Sequence, residues 1–182
     1  MEVKTMALNW LEEVVSQYYK LRGYIVLENE DLPNPEGVAG RGEADIIAFK
    51  DRELVHVECM SYWWGSRHKN EEFQKLNNKF VRVQAHIFEK YNFLQQYEPI
   101  NKIFVVGGKA DNPRPNGPWN RLQDFCGKEA IELIEVNTIV EDLIGKLREK
   151  YPKHKRLVGK EEGIARFLLH LIQSDFLKRP QE

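Results

Sequence analysis

A chain of 182 residues, 42% hydrophobic and 30% charged, suits one domain with a sizeable core and does not fit a disordered scaffold. Its 27 basic and 28 acidic residues nearly cancel, so net charge points to no partner, and two cysteines, Cys59 and Cys126, exclude a disulfide framework. No apolar run approaches the ~20 residues of a membrane span and no signal peptide is visible, so a reduced, cytoplasmic protein with no membrane partner is expected.

The spacing of Ala7, Trp10, Val14, Tyr18 and Leu21 predicts a helix over 6–22, ended by Gly23. A short strand follows at 24–28, then a loop rich in Pro, Gly and Asn. Residues 43–49 and 53–60 read as two strands joined by a tight turn at Asp51-Arg52. A helix over 70–92 carries the stripe Phe73, Leu76, Phe80, Val83 and Ile87. Residues 102–108 read as a buried strand, 109–120 as a loop and 130–136 as another strand. Thr138 with Glu141 reads as a capping box that opens a helix over 139–150. The stretch 146–160 holds seven Lys or Arg against one Glu, and a last helix is predicted over 162–178. The order α-β-β-β-α-β, then β-α-α, predicts an α/β fold with a central mixed sheet flanked by helices. The core is expected over 1–137, with a C-terminal two-helix extension over 138–182 packed on it.

The stretch "GRGEADIIAFKDRELVHVEC" embeds two acids, Asp45 and Glu58, in otherwise apolar strands. A two-residue loop pairs Lys50 with Glu53, and in that register Asp45 faces Glu58, Ile47 faces His56 and Glu43 faces Met60. Ala44, Ile46, Ala48, Val55, Val57 and Cys59 then make the core face. Two carboxylates directly opposite have Cβ atoms roughly 5 Å apart and repel. A divalent cation between them turns repulsion into ligation, and hard oxygen ligands suit Mg²⁺. The alternative is a half-exposed sheet face on which two acids meet.

These residues resemble the PD-(D/E)xK nuclease superfamily, the restriction-endonuclease-like fold. The nearest likeness is to archaeal Holliday-junction resolvases and to small bacterial proteins that carry G-E-I-D-L-I-A followed by V-E-V-K. The resemblance covers about residues 7–92. It matches Asp45 to the first motif acid, Glu58 to the second, Glu43 to the acid of G-E-x-D and Glu12 to a helical glutamate near the metal. It implies a nuclease that hydrolyses DNA phosphodiester bonds with Mg²⁺ or Mn²⁺, with Asp45, Glu58 and Glu12 as metal ligands. A homodimer is one assembly it implies, since many enzymes of this fold cut both strands as dimers.

The pattern breaks at one position. The family has E-x-K where this chain has Glu58-Cys59-Met60. That lysine stabilises charge on the phosphoryl oxygens, which methionine cannot do. The charge is either displaced or missing. Lys79 lies roughly 80° from the centre of the apolar stripe of its helix and falls where the small bacterial relatives carry a lysine; Lys69 and Lys75 come next. If the charge is missing, the chain is a nuclease-like module that no longer cuts and binds nucleic acid or a protein partner. Glu13 lies nearer the apolar stripe than Glu12, so the helical glutamate stays open between them. His56 reads as a ligand or proton carrier, or as a packed strand histidine. "SYWWGSRHK" reads as a loop that stacks on splayed bases or as a packed corner. Arg41, Arg67, Lys69, Lys155 and Arg156 are the candidate nucleic-acid contacts, the last two in the basic stretch.

Overall fold

The computed structural model describes residues 9–33, 42–63, 70–108, 117–151, 163–164 and 167–168. Five strands form one sheet in the order β1 (Ile25–Leu32), β2 (Gly42–Lys50), β3 (Glu53–Met60), β4 (Asn101–Val106), β5 (Ile131–Glu135). The first three are antiparallel neighbours; β3, β4 and β5 run parallel. Helices α1 (Trp10–Leu21) and α4 (Val136–Lys150) pack on one face, α2 (Asn70–Lys90) and α3 (Pro118–Lys128) on the other. This is the expected α/β class: a mixed sheet flanked by helices. Among the described residues no helix is long and apolar enough to cross a membrane.

Asn9 caps α1. Its side chain accepts from the Leu11 and Glu12 N–H groups, and the Glu12 carboxylate accepts from the Asn9 N–H at 3.2 Å. Gly23, with φ of 84°, ends the helix in the left-handed conformation, so that the Tyr24 N–H reaches the Tyr19 carbonyl at 3.1 Å. The buried stripe is wider and rotated from the expected one. Leu11, Val14, Val15 and Tyr19 are buried, whereas Trp10 is 50% exposed. The cause is that α1 packs against both α4 and the sheet, which needs a broader apolar arc than one line of residues. The stripe of α2 is as expected: Phe73, Phe80, Val83 and Ile87 are buried and Leu76 is partly so.

Three elements differ from the sequence reading. Strand β1 runs on to Leu32, into the stretch expected to be loop. The stretch from Gly117 onward is no loop; Pro118 takes the first turn of α3 and Leu122, Phe125 and Cys126 pack into the core at helical spacing. Gly-Pro looks like a turn, but proline's fixed φ also suits a helix start. Likewise α4 begins at Val136, directly after β5, so Thr138 lies within the first turn and no side chain caps this end. Most of 162–178 lies outside the described residues; Ile164 and Leu168 join the cluster of α1 and α4, and the Ile164 N–H donates to Glu13 Oε1 at 2.7 Å.

The hairpin register is the expected one from Lys50↔Glu53 to Ile46↔Val57, with Asp51 at φ of 51° in the turn. Beyond that pair the face assignment changes. Ile46 and Ala48 belong to the cluster under α1, yet Ala44 belongs to the cluster under α2. Strand β1 does the same. Glu28 bonds to Ser16 and Lys20 of α1, whereas Glu30, two residues on, bonds to Lys90 and Tyr91 at 2.5 and 2.7 Å at the end of α2. Between them Asn29 has φ of 52°, and it stands at the level of Asp45, where both the β1–β2 and β2–β3 ladders skip a pair or stop. One left-handed residue reverses the period-2 alternation, and the neighbouring strand follows. Glu43 and Ala44 are thus not on the faces that simple alternation assigns them.

The rotated α1 stripe has a measurable consequence. Leu11→Ala is expected to cost about 3 kcal/mol in urea unfolding and Trp10→Ala about 1 kcal/mol or less. Equal losses would place Trp10 in the core.

Candidate functional site

Where β2 leaves β3, two carboxylates converge. Asp45 is 8% exposed and Glu58 3%. Asp45 Oδ2 accepts from the Cys59 N–H at 2.7 Å, so the side chain takes the donor that a continued ladder would use. Asp45 is therefore held by β3 backbone as well as by its own strand. This is possible because the face exchange at Asn29 and Asp45 lets the strands part at this level.

Lys79 joins the two acids. Its ammonium lies 3.1 Å from Asp45 Oδ1 and also contacts Glu58 Oε2. The lysine comes from the flank of α2, one residue before the buried Phe80. Its side chain is 30% exposed, so the charged end reaches the acids from the boundary of the buried face. Lys75, one turn earlier, is exposed. The sequence wheel thus ranked these two lysines in the order of their nearness to the acids.

Beneath Glu58 lies His56, 1% exposed, with Nε2 at 2.6 Å from Glu58 Oε1 and its ring edge-on to Phe80 at 4.6 Å. Burial, then the Lys79 charge, pushes its pKa down to about 3, so the ring is neutral at ordinary pH. The neutral ring donates its Nε2–H to the carboxylate and fixes that side chain in place. His56 is a packed strand histidine hydrogen-bonded to an acid.

The electrostatics follow from burial. Desolvation, followed by the Glu58 charge, raises the Asp45 pKa above the ordinary carboxylate range. Desolvation also raises Glu58, against the opposing pull of Lys79 and of hydrogen bonds from the Asp45 side chain and N–H. Burial works to lower the Lys79 pKa, but Glu58 and Asp45 outweigh it and hold the ammonium charged. Two acids face one cation. The thiol of Cys59 is pushed well up by burial and by Asp45, so it is no nucleophile, as its place on the core face leads one to expect.

The remaining candidates do not join this cluster equally. The Glu12 carboxylate is engaged by Asn9; burial raises its pKa, and the charges of Asp45 and Glu43 add to that rise, so it stands within electrostatic reach of the acids. Glu13 is turned toward Ile164 and away from this role. Among the described residues no three His, Cys, Asp or Glu side chains gather closely enough to hold a metal ion. Met60 is partly buried against the cluster of Trp63, Phe73 and Phe80, an apolar setting that explains why a methionine stands there. Trp63 is buried and stacks on Phe73, which makes this part of the aromatic loop a packed corner. Arg41, Arg67, Lys69, Lys155 and Arg156 lie outside the described residues. The Asn9-x-x-Glu12 capping box, a signal the sequence reading passed over, shows what occupies Glu12.

The arrangement suits a hard cation. Two buried carboxylate oxygens converge on one point, and the positive ammonium already lies there. The donor set fits Mg²⁺ or Mn²⁺, which keep several waters beside one or two carboxylates.

No family model matches this chain, and no curated protein matches it. Among solved structures it is similar to a crystal structure titled a protein of unknown function, AF1548, with a TM-score of 0.46 and 13% identity, over 92% of this chain and 98% of that one.

The raised acids set the pH dependence of the fold. A carboxyl whose folded pKa lies above its unfolded one favours the folded state at acid pH and loses that contribution as pH rises through the shifted value. In chelator, Asp45→Asn is expected to melt higher than the parent at pH 8, by on the order of 1 kcal/mol, and the gain is expected to shrink toward pH 4. A difference independent of pH between 4 and 8 would contradict buried charge repulsion at this position.

Proposed function

We propose that the chain is a metal-dependent deoxyribonuclease whose site is Asp45, Glu58 and Lys79. The observation that carries the reading is the buried pair of carboxylates bridged by one lysine ammonium. In this reading Asp45 and Glu58 hold Mg²⁺ or Mn²⁺, with Glu12 close enough to act through its charge. A bound divalent ion supplies Lewis-acid polarisation of the phosphoryl group and a more acidic water. Lys79 supplies from α2 the charge that Met60 cannot supply from β3. It stabilises negative charge on the phosphoryl oxygens as the nucleophile attacks in line. His56 keeps Glu58 oriented, and the Cys59 N–H keeps Asp45 oriented, so neither acid must reorganise during the reaction. DNA is the substrate in this reading, reached by the basic residues Arg41, Arg67, Lys69, Lys155 and Arg156. A homodimer would serve cleavage of both strands.

A second reading rests on Met60. Its side chain packs, partly buried, against the apolar cluster that holds Trp63 and Phe104 and carries no charge to face a phosphate. In this reading the fold no longer cuts and serves as a binding module for nucleic acid or protein.

Cleavage of linear, single-stranded and branched DNA in Mg²⁺ and Mn²⁺ separates the two. The nuclease reading expects cleavage that is lost in Asp45→Ala and falls at least a hundredfold in Lys79→Ala. Cleavage that survives Asp45→Ala unchanged would sink the site, and cleavage undiminished by Lys79→Ala would return the lysine's role to another residue. Absence of cleavage on every substrate would favour the binding module.

A further inference from the structure

Strand β5 ends the sheet on one side. Its neighbour is β4, which runs parallel to it from Lys102↔Ile131 to Val106↔Glu135, and among the described residues no strand pairs with its other edge. About half of its N–H and C=O groups therefore turn away from β4. All of β5, Ile131 to Glu135, lines one cavity of about 770 Å³. Clefts of roughly 300–1,000 Å³ are the size that holds ligands.

The cavity is a slot with two walls. Trp119, Cys126 and Gly127 of α3 line it on one face of the sheet, and Tyr18 of α1 with Thr138 and Asp142 of α4 line it on the other. Ile131 is buried and Leu133, Ile134 and Glu135 are half-buried, so within β5 Glu132 alone is exposed. The walls differ in chemistry. Ile131 and Leu133 belong to the cluster of α3, whereas Ile134 belongs to that of α1 and α4. By alternation Glu132 shares the α1 side with Ile134, and its charge acts on Tyr18 there. Arg22 and Asp142, also in the lining, hold each other at 2.5 Å. An incoming strand thus meets apolar side chains on the α3 side and an exposed carboxylate on the α1 side.

We propose that the β5 edge is a docking slot for an extended segment of a partner protein in which apolar and basic residues alternate. The segment adds to the sheet as a further strand. Main-chain hydrogen bonds to β5 hold it, its apolar residues pack toward Leu133 and its basic residues reach Glu132. At roughly 3.3 Å per residue, β5 offers edge for a segment of about five residues. Charge decides against a second copy of this chain as the occupant. Its β5 would bring Glu132 and Glu135 into a seam already lined by the same two acids, and Arg22 is engaged by Asp142. Strand β4 separates the slot from the acid-bearing β3, and the inference stands without the nuclease reading.

The probe is a fluorescein-labelled heptapeptide of alternating Val and Lys, read by anisotropy. Its controls are a Val-Glu counterpart and two Val-Lys copies, one N-methylated on every Val and one on every Lys. An added strand turns alternate N–H groups toward β5, so only one methylated copy is expected to lose affinity, by about tenfold. The Val-Glu peptide is expected to bind about tenfold more weakly than the Val-Lys peptide. A Cβ on Gly127 meets nothing within 4 Å, so Gly127→Phe adds a ring at the slot wall without a clash in the fold. Gly127→Phe is expected to weaken the Val-Lys peptide about tenfold and Glu132→Lys about fivefold, each with an unchanged melting temperature. No binding of the Val-Lys peptide, equal affinities of the two methylated copies, or unchanged affinity in both variants would overturn the slot. A parent that sediments as a dimer and dissociates in Gly127→Phe assigns the edge to a second copy and overturns the peptide partner.

Discussion

Two carboxylates buried side by side repel, and the structure around Asp45 and Glu58 is arranged to make that tolerable. Desolvation raises both, the Glu58 charge raises Asp45 further, and Lys79 with hydrogen bonds from Asp45 pulls Glu58 back. The helix α2 must therefore lie where its flank can deliver Lys79. The large buried side chains Phe80, Val83 and Ile87 fix that position by burying the face next to it. Strand β3 contributes His56 and the Cys59 N–H as donors to the acids. A fold that only needed stability would place apolar residues here, since breaking up such a buried charged cluster with shape-matched hydrophobes is often neutral or stabilising.

The meeting of the acids was legible in the sequence, although the ladder stops one pair short of Asp45 and Glu58. The alternation of apolar residues in β2 and β3 and the short turn at Asp51-Arg52 set the register through Ile46↔Val57. The helical wheel of α2 placed Lys79 at the boundary of the buried stripe. The break in alternation was not legible. It depends on Asn29 adopting a left-handed backbone inside β1, and a period-2 reading assumes that every strand residue is extended. That one residue explains why Ala44 changes face and why the strands separate at Asp45.

Other differences come from signals with two physical meanings. Gly117-Pro118 suits a turn or a helix start, and only the packing of Leu122 and Cys126 decides between them. Trp10 counts as apolar in a stripe, yet its ring lies on Gly107, half exposed, and not in the core between α1 and the sheet. Glu12 and Glu13 are neighbours in sequence, but the capping geometry at Asn9 engages one and the C-terminal segment engages the other. Each outcome was set by tertiary neighbours far away in the chain.

The central claim is that Asp45 and Glu58 form a cation site in which the Lys79 ammonium occupies the place of a divalent ion. Titration calorimetry with Mn²⁺ on the parent, Lys79→Met and Asp45→Asn tests it without reference to catalysis. The account predicts one site per chain, tighter in Lys79→Met because no ammonium competes there, and lost in Asp45→Asn. Mn²⁺ binding that is absent from both the parent and Lys79→Met, or that persists unaltered in Asp45→Asn, would contradict it.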